Sequence, residues 1–206
     1  MVSALHAHGI SVERGGRLVI HDLSFMVGSG HALLLKGANG AGKTTLLRAL
    51  AGFLPLASGQ LELEGGEAES AIGEQSHFVG HQNANKPSMT GIENLEFWSA
   101  FNDGAPETVN QAMKALDLAR LAHIPAGYLS AGQRRRLGLA RLLVSERSIW
   151  LLDEPTTALD VESQSALMAV CNNHVRAGGI IIAATHMPLA LENSSELQLG
   201  VLGDVE

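Results

Sequence analysis

The chain has 206 residues, of which 46% are hydrophobic and 17% charged, and its formal net charge is −7. That length suits one well-buried α/β domain and is too short for two ordinary ones, while the apolar content excludes a disordered chain. The acidic balance excludes a general nucleic-acid binder, which needs a basic excess to replace phosphate counterions, and a lone cysteine, Cys171, excludes a disulfide framework.

The start of the chain lacks a basic segment followed by an apolar one, so no signal peptide is expected. Ile10–Val12, Leu18–Ile20 and Leu23–Val27 alternate apolar and polar residues around glycine-rich turns such as Arg14-Gly15-Gly16-Arg17. This predicts antiparallel strands with one wet face. Ala32–Leu35 is a continuous apolar run, as expected of a parallel strand covered on both sides, and Thr44–Ala51 follows as a helix. His77-Phe78-Val79 is strand-like, and a helical stretch runs from about Ile92 to Leu143. Within it Pro106-Glu107 opens one helix, and Ser130 is placed to cap the next, which continues through Leu137, Leu139 and Leu142. Arg134-Arg135-Arg136 reads as a solvated face of that helix. Ile149–Leu152 and Ile180–Ala184 are two further buried strands, the first followed by a helix over Val161–Ala177 and the second by a short turn after Pro188. Cys171 falls in that helix as a buried thiol. No apolar run approaches the ~18 residues of a membrane span. The expected architecture is α/β, with a parallel-sheet core, a small antiparallel β lobe and a helical insertion.

Gly37-Ala38-Asn39-Gly40-Ala41-Gly42-Lys43-Thr44 matches G-x-x-x-x-G-K-[ST] between a predicted strand and a predicted helix. Glycines let successive backbone N–H groups turn inward on a phosphate, and the helix adds its positive N-terminal end. Lys43 supplies a point charge for the β- and γ-phosphates, the Thr44 hydroxyl suits Mg2+, and Thr45 extends the ATP-binding loop.

The strand Ile149–Leu152 ends in Asp153-Glu154. Side chains alternate along a strand, so the two acids are expected on opposite sides. Asp153 is assigned to Mg2+, through a bound water, and Glu154 to the attacking water as base or orienting group. His186, at the carboxyl end of Ile180–Thr185, is placed to contact the γ-phosphate and hold Glu154 in line.

Leu129-Ser130-Ala131-Gly132-Gln133 resembles the LSGGQ signature of ABC ATPases, with Ala131 where the common form has glycine. In that family Ser130 and the Gly132 N–H would close over the γ-phosphate held by a second copy of the chain. The resemblance implies a P-loop NTPase fold of the ABC nucleotide-binding type over 2–206, with core and lobe in 2–83 and 144–206 and a helical subdomain at about 84–143. Gln82 matches the glutamine loop, a Mg2+ and catalytic sensor. Asp160, in Ala158-Leu159-Asp160, matches the loop that crosses the dimer interface. The adenine-stacking aromatic of the family is replaced by Arg14, whose guanidinium plane could stack on the base.

Phe78-Val79-Gly80-His81-Gln82, Lys86, Thr90-Gly91-Ile92-Glu93-Asn94-Leu95, the alanine-form signature with its three arginines, and Thr185-His186 after Gly178-Gly179 narrow the resemblance. They are similar to the ATP-binding subunit of haem exporter, or cytochrome c maturation, systems. This implies a peripheral subunit at the cytoplasmic face of the bacterial inner membrane, held by integral membrane subunits. Its ATP turnover would drive haem handling and free a haem-loaded periplasmic chaperone. Haem itself is not expected to touch this chain, since His77 and His81 lie on a strand running into a loop without a completing ligand set. The alternative is the ATP-binding subunit of another ABC transporter, exporting a lipoprotein, a metal or a small molecule, and beyond that a non-transport ABC ATPase. The stretch from Thr45 to Leu129 is too short for the coiled coil of repair members, and one ATPase half does not fit translation members.

Overall fold

Two sheets form around one apolar cluster, seen in a computed structural model that describes residues 2–67 and 70–200. Residues 68–69 and 201–206 of the expected domain lie outside the described ones. Strands β1 (Val2–Arg14), β2 (Arg17–Gly28) and β4 (Ser58–Gly65) make an antiparallel sheet in the order β2-β1-β4. The short strands expected from the sequence are thus parts of two long, bulged ones, with register shifts around Ile10 and Val12 that reset the alternation. Gly15 and Gly16, both at positive φ, close the β1–β2 hairpin between Arg14 and Arg17.

β3 (Ala32–Lys36), β5 (Ser76–Val79), β6 (Ile149–Asp153), β7 (Ile180–Ala184) and β8 (Ser194–Gln198) form a parallel sheet in the order β5-β6-β7-β3-β8. β6 and β7 are buried throughout, as their unbroken apolar runs require. β8 stands where only a short turn was expected. Helix α1 (Lys43–Leu50) buries Leu46, Leu47 and Leu50 in the cluster shared with β1, β3, β6 and β7. Each such leucine contributes about 1.5–3 kcal/mol relative to an exposed one. Trp150 of β6 stacks on His174 with ring centroids 3.8 Å apart, and burial pushes that imidazole down to about 4, holding it neutral. A Cβ at Gly179 would lie 2.2 Å from this ring, so the glycine before β7 is fixed by packing.

The described chain divides into two compact units. One contains the chain up to Gly80, Arg147–Glu154 and the part from Cys171 onward; the other contains His81–Glu146 and Pro155–Val170. The second unit holds α2 (Gly91–Phe101), α3 (Pro106–Ala115), α4 (Ala131–Ala140) and the start of α5 (Val161–Arg176). Leu95, Val109, Met113, Leu116, Leu137 and Leu142 are buried in it. Pro106 and Glu107 open α3 as expected, and Ser130 caps α4. Asn94, only 2% exposed, donates to the carbonyls of Lys86, Met89 and Thr90 and accepts from the Lys86 N–H, which moors the loop before α2.

The three arginines are not a solvated face. Arg134 donates to the Leu129 carbonyl, and Arg136 to the carbonyls of Leu116 and Asp117. Arg135 is 4% exposed. A guanidinium that finds carbonyl acceptors can be taken out of water, which a charge run alone does not reveal. Cys171 is buried as expected, and desolvation pushes its thiol up to about 12, leaving it inert.

Candidate active site

In the first unit the loop after β3 is shaped by glycines that no other residue could replace at the same geometry. Gly37, Gly40 and Gly42 all have positive φ, at 142°, 89° and 93°. A Cβ at Gly37 would lie 2.5 Å from the Leu199 carbonyl oxygen, and one at Gly42 would lie 2.8 Å from Ile20 Cδ1. The chain between them, Ala38-Asn39-Gly40-Ala41, turns on a hydrogen bond from the Ala41 N–H to the Ala38 carbonyl (3.1 Å).

Helix α1 then starts without help from its own side chains. Its N-cap, Gly42, makes no side-chain cap, and no acid lies in the first turn. The Leu46 N–H bonds the Gly42 carbonyl at 2.8 Å, so the N–H groups of Lys43, Thr44 and Thr45 precede the first i−4 bond. Thr45, the third of these, is 3% exposed. Lys43 Nζ donates to the carbonyls of Gly37 (2.7 Å) and Ala38 (3.0 Å) and so lies over the loop. Together these groups form a positive cradle of the size and chemistry of a phosphate chain.

The Thr44 hydroxyl donates to Asp153 Oδ2 at 2.9 Å, and Asp153 is 5% exposed. A hydroxyl and a buried carboxylate side by side are hard oxygen donors, and they fit Mg2+ and its preference for oxygen ligands.

Strand β6 ends at Asp153, and Glu154 leaves it at φ 47°, in the left-handed region. The simple alternation expected of the two acids therefore stops one residue early. Their separation comes from a backbone turn, held by the Glu154 N–H on the Ala184 carbonyl (2.8 Å). A non-glycine residue there costs on the order of 1 kcal/mol, strain of the kind found at functional sites. The turn brings Glu154 Oε2 to 2.9 Å from His186 Nδ1. His186 is presented by a small hydroxyl turn, in which Thr185 Oγ1 accepts from the Met187 N–H (3.0 Å) and donates to its carbonyl (2.9 Å). Arg14 lies exposed at the tip of the β1–β2 hairpin.

The second unit carries the remaining expected residues. Gln82 is exposed in a bend directly after Gly80-His81. Ser130 caps α4 in a capping box: its Oγ accepts from the Gln133 N–H (3.2 Å), and Gln133 Oε1 accepts from the Ser130 N–H (2.8 Å). Leu129 is buried and anchors the turn, and Ala131 is exposed at the first helical position. A Cβ at Gly132 would lie 2.9 Å from the Ala158 carbonyl oxygen, so the neighbouring loop itself favours glycine here. Asp160, expected in an interface loop, accepts from the Ser163 N–H at 2.8 Å at the start of α5. The Ser163 side chain first, and then this N–H, hold its carboxyl below the usual carboxylate range. Asn83 and Asn85, which no sequence motif singled out, and Arg135, read from the sequence as solvated, join the signature helix to its neighbours.

Comparison with known proteins agrees with this geometry. Residues 20–157 match the ABC transporter family. The cytochrome c biogenesis ATP-binding export protein CcmA of Nitrobacter winogradskyi is 50% identical over 196 residues, covering 95% of this chain and 98% of that one. The protein of the same description from Brucella abortus is 44% identical over 190 residues, covering 92% and 88%. Among solved structures, a putative ABC transporter ATP-binding protein from Pyrococcus furiosus superposes with a TM-score of 0.82 at 21% identity, covering 96% of this chain and 98% of that one. An ATP-binding subunit of an ABC transporter gives 0.84 at 20% identity, covering 97% and 90%. The two structures show the shared fold, and the sequence relatives show the branch. The chain belongs to the ABC transporter family of ATP-binding ATPase subunits and, within it, to the family of cytochrome c biogenesis ATP-binding export proteins CcmA.

Proposed function

We propose that this chain is the ATP-hydrolysing subunit of an export complex serving cytochrome c biogenesis, and that its turnover drives haem handling and release of a haem-loaded periplasmic chaperone. The observation that carries the ATPase part is the uncapped start of α1, with Lys43 over the loop and the Thr44–Asp153 pair beside it. The transported cargo rests on the description of the relatives at 44–50% identity.

In this reading the N–H groups of the loop and of the start of α1, with Lys43, bind the phosphates of ATP, and Thr44 and Asp153 would hold Mg2+, to which Gln82 would add an oxygen as the family's sensor. The metal neutralises charge on the phosphates when bound. Glu154 orients the attacking water, and His186 fixes the Glu154 carboxylate through the 2.9 Å contact. A carboxylate with an ordinary pKa of ~4.3 is a weak base, so its contribution is placement more than proton affinity. Arg14 meets the adenine. The Leu129–Gln133 turn closes on the nucleotide of a second copy, Asp160 lies in the loop between copies, and integral membrane subunits hold the dimer at the cytoplasmic face of the inner membrane. Among the described residues, no helix is long and apolar enough to cross a membrane.

The test is affinity purification of the full chain from membranes of its host, followed by an ATPase assay with and without Mg2+. Integral membrane subunits encoded beside cytochrome c maturation genes should co-purify, and hydrolysis should require Mg2+. Recovery of a lipoprotein or metal exporter instead would move the chain to a different transporter, and turnover independent of Mg2+ would remove the Thr44–Asp153 assignment.

A further inference from the structure

Arg135 is the most deeply buried cation of the signature helix, and its fork bridges two separate loops. Its Nε donates to the Pro155 carbonyl at 3.3 Å, and its Nη1 donates to Asn83 Oδ1 at 3.2 Å. Pro155 is the residue that follows Glu154, and Asn83 the residue that follows Gln82. The same helix grips the second loop twice more. Asn85 Nδ2 donates to the Arg134 carbonyl at 2.8 Å, and a Cβ at Gly138 would lie 2.9 Å from Asn83 Cβ and 3.0 Å from the Asn83 carbonyl oxygen.

A second cation nearby, the partly buried Arg141 over the Trp98 ring, has its guanidinium pushed down to about 10, first by burial and then by the charge of Arg135. An apolar side chain in place of Arg135 would fill the same space without the repulsion between the two cations. Arginine differs from such a filler, and from lysine, in offering N–H groups along a rigid plane, so that two acceptors on different loops are held at a fixed spacing.

We propose that Arg135 is a positioning residue: it ties the chain leaving Glu154, at Pro155, and the chain leaving Gln82, at Asn83, to the helix that begins at Ser130, so that these three segments of the second unit shift as one body during turnover. The proposal rests on the roles given above to Ser130, Gln82 and Glu154. Arg135 touches neither nucleotide nor water in it; it acts through Pro155 and Asn83. Its loss should therefore slow the chemical step and leave nucleotide binding by Lys43 and its loop in place.

The experiment combines steady-state kinetics with hydrogen exchange on the full chain, in wild type, Arg135→Gln, Arg135→Lys and Asn83→Ala. Arg135→Gln should lower kcat by about tenfold or more while the KM for ATP stays within about twofold. Arg135→Lys should not restore kcat, because a point charge cannot span both acceptors, whereas a role in charge balance alone would be restored by lysine. In wild type, Mg-ATP should slow amide exchange at residues 37–45, 83–86 and 155–160. In Arg135→Gln protection should persist at 37–45 and be lost together at the other two segments. Unchanged kcat, rescue by lysine, or retained protection at 155–160 would overturn the proposal. Absence of protection at 37–45 in wild type would instead remove the ATP-site reading on which it rests. Asn83→Ala cuts one arm at a partly exposed position and keeps the test open if Arg135→Gln fails to fold. It should lower kcat about threefold and free 83–86 while leaving 155–160 protected, and wild-type exchange at 83–86 would overturn the proposal.

Discussion

Two helices of this chain begin beside the residues expected to meet ATP, and they begin in opposite ways. α1 starts at Gly42, in the left-handed region, with no side-chain cap and no acid in its first turn. α4 starts at Ser130 with both bonds of a capping box made, as α2 does at Thr90 with Glu93. Free N–H groups at a helix start need a partner, and where the chain provides none an anion is the natural one. The α4 start is already partly satisfied from within. What it has left are the N–H groups of Ala131 and Gly132 and the hydroxyl proton of Ser130, whose oxygen is engaged by the Gln133 N–H. One helix start is therefore an open receptor for oxygens, and the other is fixed in shape by its own side chains and offers only the donors that the capping box leaves over. A nucleotide would be held mainly by the first and read by the second.

The largest effect expected lies beside the first helix start. Glu154→Gln should leave ATP binding intact, because none of the groups that cradle the phosphates is touched, yet turnover should fall by roughly 10²–10⁴-fold. Equilibrium binding and phosphate release measured on one preparation check this. Near-normal release would take Glu154 out of the water-orienting role. Next in size is Lys43→Ala, which should weaken ATP binding by about 10–100-fold through loss of charge-assisted contacts to the phosphates. Ser130→Ala should leave the affinity of a single chain within about twofold. Titration calorimetry of the two variants decides the contrast, since equal losses would mean that the two helix starts do the same work.

Much of this was legible in the sequence because backbone geometry and residue type were coupled there. Gly37, Gly40 and Gly42 occupy positive φ, and Ser130 with Gln133 satisfies its own helix start, so the motifs mark their own conformations. The buried parallel strands β3, β6 and β7 were likewise visible as unbroken apolar runs. β8 was not, because Ser194-Ser195-Glu196-Leu197-Gln198 sits at the sheet edge, mostly exposed, with no pattern that its parallel pairing to β3 required. β4 carried a readable alternation in Leu61-Glu62-Leu63-Glu64, with the leucines inward, that was passed over beside its flanking glycines. The turn at Glu154 was hidden for a different reason. Its left-handed backbone is imposed by the Ala184 carbonyl, thirty residues along the chain, and nothing local to Asp153-Glu154 announces it. Arg135 was misread on the same grounds, since its acceptors at Asn83 and Pro155 are distant in sequence.

The smallest effect is the one that separates the two duties of Ser130. Ser130→Ala removes the acceptor for the Gln133 N–H, which should cost about 1 kcal/mol, or roughly 2–4 °C in Tm for a chain of this size. Ser130→Asp keeps a capping oxygen and adds negative charge at a helix N-terminus, so its Tm should match or exceed that of wild type. The same carboxylate has no proton to donate and would repel a phosphate brought up by a second copy. The aspartate variant should therefore be as stable as wild type and as able to bind ATP in one chain, yet fail to form a nucleotide-dependent dimer, which sedimentation of the Glu154→Gln background would read. A stable aspartate variant that still dimerises on ATP would leave the serine as a helix cap and nothing more.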